Sequence, residues 1–184
     1  MIERFQAALA GLESTAMVTS DPAGALVAAL RERGVTEVIA WADPVLEQYG
    51  IPQAARSAGI EWFTASTERT PADVRAVAAR AGAGITTADW AVAETGTLVL
   101  LSGPGRPRMT NVLPPLHVAV IPLERLQPDT AALFRELSVL ASCGRGMPSG
   151  LHMVTGPSRS ADIEDVLVRK VHGPGELIVI LVDL

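Results

Sequence analysis

The sequence has a single cysteine, Cys143. No intrachain disulfide can form, and no cysteine-based metal or iron–sulfur site can be built from this chain alone. A reducing cytoplasm is the expected compartment. Lysine is nearly missing as well: Lys170 stands alone and the other fourteen basic side chains are arginines, which reads as codon or genome bias. No run of about 18 or more apolar residues occurs, so no membrane span is expected. The apolar ending "LIVILVDL" is too short to span and reads as a buried strand. The start, "MIERFQAALAGLESTAMVTS", carries Glu3 and Arg4 and lacks the apolar core of a signal peptide. The formal charge is −5 and the basic residues form no stripe, so general nucleic-acid binding is not expected. There is no phosphate-loop signature, no GxGxxG after an early strand, no HExxH and no GxSxG. His117, His152 and His172 lack close His or Cys partners, so no metal site is expected. Trp41, Trp62 and Trp90 are too scattered to define a patch.

What is present is enough for a packed core. The chain has 184 residues, 48% hydrophobic and 19% charged, which bounds it to one domain, here 1–184, with residues 1–20 as an N-terminal helical appendage. Ile2, Phe5, Leu9 and Leu12 recur at helical spacing and predict a helix over 2–12. Asp21-Pro22 and Thr70-Pro71 each pair a capping residue with a first-turn proline, and each opens a helix. "TEVIAW" (36–41) and "IEWFTA" (60–65) read as strands, with broken helical turns over 43–59 between them. Helix and strand thus alternate, which predicts a mostly parallel central sheet flanked by helices. Around "WAVAE" and "TLVLLS" the pattern changes to an inserted β-hairpin closed at Thr95-Gly96. "GPGRPR" (103–108) reads as a loop, "HVAVIP" (117–122) as a strand and 129–140 as a helix with Leu133, Leu137 and Leu140 inward. "SCGRGMPSG" (142–150) is the best candidate for a mobile loop. "LHMVTG", a short helix near 160–168 and "ELIVILVD" complete the chain.

Four polar stretches could carry chemistry. "ETGT" places Glu94 before a turn in which Gly96 permits a positive φ. The hydroxyls of Thr95 and Thr97 and the turn amides could bind an anion or orient the carboxylate; the plain alternative is an exposed turn acid. "LPPLHVAVIP" brings His117 to a strand start, as a site residue or as a packing histidine. "TGPSRSADIE" sets Ser158, Arg159 and Ser160 ahead of an expected helix start. Amides, helix dipole and a guanidinium would meet an anion there, while Asp162 and Glu164 suit a first helical turn. In "VHGPGEL", His172 precedes a Gly-Pro-Gly turn, as general base, donor or turn residue. Each stretch lies at a strand–loop junction, and ligands of open α/β folds bind beyond strand ends. One site assembled from these distant segments is the inference.

Together, "GITTADWAVAETGTLVLLS", "LPPLHVAVIP", "TGPSRSADIE" and "VHGPGELIVILVD" resemble the LUD-domain family, in its lactate utilization C group, over residues 84–183 in order. The resemblance implies an α/β fold like that of the sugar-phosphate isomerases, the CoA transferases and the formyltetrahydrofolate cyclo-ligases. It implies a cluster-free chain that works beside two iron–sulfur partner proteins in the oxidation of L-lactate to pyruvate. Arg169-Lys170 departs from the small residue expected before "VHGP". The fold relatives include CoA transferases with a glutamate nucleophile near a strand end. Glu94, with the amides of Gly96 and Thr97 as oxyanion donors, could be a working version of it.

Three functions follow from these readings. The favoured one is an accessory component of L-lactate utilization, with no cofactor of its own, that binds a small organic anion (lactate, pyruvate or phosphate-like). The alternative is a stand-alone CoA-transferase-like or isomerase-like enzyme with Glu94 as nucleophile. The third is an interaction module in which the four stretches are folding devices.

Overall fold

The computed structural model describes residues 1–143, 148–163, 166–169 and 173–184, with the backbone alone for 159–163 and 166–169. Helix α1 (Ile2–Ala10) buries Phe5 and Leu9 and leads into strand β1 (Thr15–Thr19). Helix α2 (Pro22–Glu32) starts where the side chain of Asp21 accepts from the Gly24 amide at 2.9 Å, with Pro22 in the first turn. Strand β2 (Glu37–Trp41), helices α3 (Pro44–Gln48) and α4 (Ile51–Ser57) and strand β3 (Glu61–Ala65) follow. Helix α5 (Pro71–Arg80) is capped by Thr70, whose hydroxyl accepts from the Asp73 amide at 3.1 Å. Then come β4 (Ala83–Thr86), β5 (Trp90–Val92), β6 (Thr97–Ser102), the short helix α6 (Met109–Val112), β7 (Leu116–Pro122) and β8 (Leu126–Gln127). Helix α7 (Thr130–Ser142) starts on an Asp129 cap. Strands β9 (Gly150–Val154), β10 (Arg159–Ile163), β11 (Val166–Arg169) and β12 (Glu176–Val182) complete the order.

A six-stranded parallel sheet, in the order β1-β12-β7-β4-β2-β3, forms the centre. Strand β7 is buried at every position and β12 at all but its first, as expected for central parallel strands covered on both faces. On one face, Leu26 and Leu30 of α2 and Ile51 of α4 pack against Val38, Val118, Val120 and Ile180. On the other, Phe5 and Leu9 of α1 join Leu98 and Leu100 of β6 against Ala119, Ile121, Val179 and Leu181. Helix α5 covers the β2–β3 end of that second face through Val74, Val77 and Ala78.

The α/β class with a mostly parallel central sheet flanked by helices is the observed architecture, and four details differ from the sequence reading. The first twenty residues are more than a helical appendage: β1 is an edge strand of the central sheet, with Thr15 in register with Ile178. Strand β4 was not anticipated, because Ala-Gly-Ile-Thr is short and shows no alternation; its partners on β2 and β7 define it. The expected β5–β6 hairpin is present, and β8 and β9, whose pairing with it was not anticipated, extend it into a second sheet, β8-β5-β6-β9. Its far face packs Val92 and Val99 on Leu133 of α7. Finally, the expected helix near 160–168 is an antiparallel strand pair, with Arg159 opposite Arg169 and Ser160 opposite Val168. Val166 and Val168 are β-branched at alternate positions, which favours a strand over the helix that the Ser and Asp residues suggested.

Candidate functional site

The chain leaves β2 for β3 through α3 and α4 on one face, and leaves the adjacent β4 for β7 through β5, β6 and α6 on the other. Adjacent strands whose connections diverge make a topological switch point, the usual ligand crevice of an open α/β sheet. Beyond the carboxyl ends of these two strands stand Asp43, Thr87 and Asp89. The Asp43 side chain is 1% exposed. Its Oδ1 accepts from the Val45 amide at 3.0 Å, capping α3, and its Oδ2 accepts from the Thr87 hydroxyl at 2.7 Å and from Arg106 Nη2. Arg106 Nη1 donates to Asp89 Oδ1 at 2.9 Å, and Asp89 Oδ2 accepts from the Leu101 amide at 2.8 Å. The guanidinium also lies 5.3 Å from the Trp41 ring centre, and Trp41 Nε1 donates to the Pro107 carbonyl at 3.1 Å. One cation thus sits between two carboxylates, and the crevice is closed by the chain's own Gly103–Pro107 loop. Sequence reasoning missed these residues. "WADP" signals only a helix cap, and a lone arginine in a Gly/Pro loop gives no local sign of its partner 63 residues away.

The polar stretches read from the sequence lie elsewhere. Glu94 is exposed and pairs with Arg4 at 3.0 Å. Gly96 has φ +69°, and a side chain there would crowd Leu9. Its amide donates to the Val92 carbonyl at 3.0 Å, so one expected oxyanion donor is already committed. The hydroxyls of Thr95 and Thr97 lie 2.7 Å apart, and those of Thr97 and Thr155 lie 2.8 Å apart. The "ETGT" turn therefore meets the start of "TGPSRSADIE". That segment meets the last loop in turn, since the Ser158 amide donates to the Pro174 carbonyl at 2.8 Å and the Gly175 amide to Pro115 at 3.0 Å. Three segments and the residue before β7 form one seam. Pro115 and Gly175 precede β7 and β12, so this seam reaches the amino edge of the central sheet, opposite the switch point. Arg159, Ser160 and Asp162 lie on β10; Glu164 and His172 lie outside the described residues.

His117 is fully buried and shares no hydrogen bond with the Glu94 turn. It is in register with Gly84 of β4, whose face α6 covers, and its Nε2 lies 2.8 Å from the Thr86 hydroxyl. Among the described residues, its Nδ1 has no partner, and Thr110 Oγ1 and Asn111 Oδ1 of α6 are also buried and unpartnered. Burial lowers the His117 pKa from 6.5 to about 4. The unfolded chain therefore takes up this proton first as pH falls. The stability conferred by neutral His117 is whole above pH 6.5 and is lost as pH drops towards 4. The slope approaches about 1.4 kcal/mol per pH unit. Urea unfolding between pH 7 and 4.5 should show a shallower acid loss in His117→Gln than in the parent, and equal slopes would refute this account.

Comparison with known proteins bears on the whole chain. The profile of the LUD domain matches residues 2–182. A protein named lactate utilization protein C from Halalkalibacterium halodurans is 40% identical over 146 residues, which is 79% of this chain and 62% of the relative. One of the same name from Macrococcus caseolyticus is 36% identical over 154 residues, 84% of this chain and 64% of that one. The chain thus spans less than two thirds of the length of these relatives. A solved structure of a DUF162 family protein from Deinococcus radiodurans superposes with a TM-score of 0.68 at 20% identity, covering 98% of this chain and 95% of that one. That likeness shows the fold.

Proposed function

The chain belongs to the LUD-domain family, and from that membership we propose that it is a component of L-lactate utilization, the oxidation of L-lactate to pyruvate. In this reading the domain binds a small organic anion (lactate, pyruvate or phosphate-like) and iron–sulfur partner proteins carry the electrons. The carrying observation is the 40% identity, over 79% of the chain, to a relative named lactate utilization protein C. The seam at the amino edge supports the anion site. It groups the Thr95, Thr97 and Thr155 hydroxyls and joins them through the chain to Ser158. Arg159, Ser160, Asp162, Glu164 and His172 enter the proposal as members of the same segments, and His117 enters through the "LPPLHVAVIP" stretch, whose Pro115 takes part in the seam. A chain with one thiol, the exposed Cys143, fits a division of labour in which clusters reside on partners.

The test is growth on L-lactate as sole carbon source after deletion of the gene. Loss of growth, restored by the intact chain, is the expected result, and unimpaired growth overturns the reading. Complementation with Glu94→Gln separates it from the alternative, a CoA-transferase-like or isomerase-like enzyme with Glu94 as nucleophile. The committed Gly96 amide and the Arg4 pair weigh against that alternative. We expect Glu94→Gln to support growth; abolished growth with the folded variant present would restore the nucleophile reading.

A further inference from the structure

We propose that the chain carries a second, independent anion site: an arginine-lined groove across the carboxyl end of β3, shaped for an organic anion with an apolar body. After Ala65 the chain bends, the Ser66 amide donating to the Thr64 carbonyl at 2.9 Å and the Arg69 amide to Ser66 at 3.2 Å. The Gly103–Pro107 loop lies beside this bend, held where the Ala42 amide donates to the Gly105 carbonyl at 2.9 Å. Gly105 has φ +73°, and a Cβ there would stand 2.9 Å from Ala42 Cβ, so the approach requires glycine. Between bend and loop lies a cavity of about 150 Å³, walled by Ser66 and Arg69 and floored by Val74 and Met109. Ser66 and Arg69 also wall a cavity of about 350 Å³ that carries Arg56 and Thr64. Met109 is shared with a third, of about 270 Å³, that carries Arg75, Arg108 and Leu113. The first two cavities share Ser66 and Arg69 as walls, and the third adjoins the floor at Met109; the 350 Å³ cavity alone is within the size range of small-ligand sites.

Its charge is unbalanced. Arg56, Arg69, Arg75 and Arg108 make no ion pair among the described residues, whereas Arg4, Arg33, Arg80 and Arg106 each hold a carboxylate. Among the described residues, Glu68 is the one acidic residue lining these cavities. Four guanidiniums against one carboxylate, on a chain of formal charge −5, concentrate positive potential along these adjoining cavities. Arg69 is also held in position, its guanidinium 5.1 Å from the Phe63 ring centre. The field reaches β9: His152 has a lowered pKa, first through burial and then through Arg108. A carboxylate, phosphate or sulfonate head would accept from the Arg69 fork and the Ser66 hydroxyl while the body lies on Val74, Met109 and Leu113. An inorganic ion would leave that floor unused, and an acidic peptide would leave the 150 Å³ hole empty. The cavity between bend and loop, with Ser66 and Arg69, lies at the carboxyl end of β3 and shares no residue with the amino-edge seam, so it does not depend on the lactate reading.

The test is calorimetric titration of the full chain with acetate, hexanoate and inorganic phosphate. Hexanoate should bind about tenfold or more tighter than the other two, because only its chain buries apolar surface. Arg69→Gln should weaken hexanoate about tenfold, Arg69→Lys should fall between because one point charge replaces a fork, and Arg135→Gln on α7 should change nothing. Unchanged thermal unfolding of the Arg69 variants establishes that they are folded. Equal affinity for acetate and hexanoate, parent-like binding by Arg69→Gln, or an equal loss in Arg135→Gln would each overturn the proposal. So would a polyglutamate peptide that binds more tightly than hexanoate and displaces it, since the groove would then be a docking surface.

Discussion

Replacing Arg106 with Met should cost about 3–5 kcal/mol of folding stability, among the largest effects any single surface-reaching side chain here can have. The reason is what remains. Asp43, 1% exposed, keeps its cap bond to Val45 and its bond from Thr87, yet loses the cation that compensates its buried charge. Asp89 loses a partner too, but at 18% exposure water can reach it, so its share is small. The loop would lose its cation–π contact with Trp41 as well, keeping the bond from Trp41 Nε1 to the Pro107 carbonyl. Combining Arg106→Met with Asp43→Asn removes the orphaned charge while leaving an acceptor for Val45. The double variant should therefore be more stable than Arg106→Met alone, a recovery that a double-mutant cycle in urea measures directly. A cost below about 1 kcal/mol for Arg106→Met, or no recovery in the double variant, would mean that the clamp is solvated and contributes little.

The clamp also shows why part of the molecule was legible in the sequence and part was not. Asp21-Pro22 and Thr70-Pro71 announce helices because a cap acts on amides two or three residues ahead, and that information is local. Strands β7 and β12 announce themselves because burial on both faces demands continuous apolar runs. Strand β4 had no such signal: Gly84 and Thr86 take their identities from α6 and His117, which lie beyond any local window. At β10–β11, Ser160 and Asp162 carried the cap chemistry of a helix start, while the pairing of Arg159 with Arg169 could be known only from the fold. The site divides in the same way. The "ETGT", "TGPSRSADIE" and "VHGPGEL" stretches stood out as polar clusters, and Thr97–Thr155 and Ser158–Pro174 join them. Asp43, Asp89 and Arg106 did not stand out, because each is one charge in an ordinary loop and only the switch point brings them together. Arg69 and Arg108 were invisible for the opposite reason: what sets them apart is that neither makes an ion pair among the described residues, which no sequence displays.

Gly84→Ala should lower stability by about 3 kcal/mol or more, from a single methyl group. A Cβ at this position would stand 1.7 Å from the Thr110 carbonyl oxygen and 3.2 Å from Pro114 Cγ. The first contact is with backbone, which no rotamer change relieves. Either α6 must lift from β4 or β4 must part from β2 and β7, and both movements expose surface that is now buried. Gly11→Ala is the fitting control. Gly11 has φ −61°, its Cβ would come no nearer than 3.5 Å to any atom, and the change should be neutral or stabilising by up to about 1 kcal/mol. Urea midpoints of the two variants give the comparison, and a Gly84→Ala chain as stable as Gly11→Ala would show that α6 yields freely. The same variant links fold to groove. Met109 belongs to α6 and to the floor between Arg69 and Arg108, so lifting the helix should widen that floor and weaken hexanoate relative to acetate.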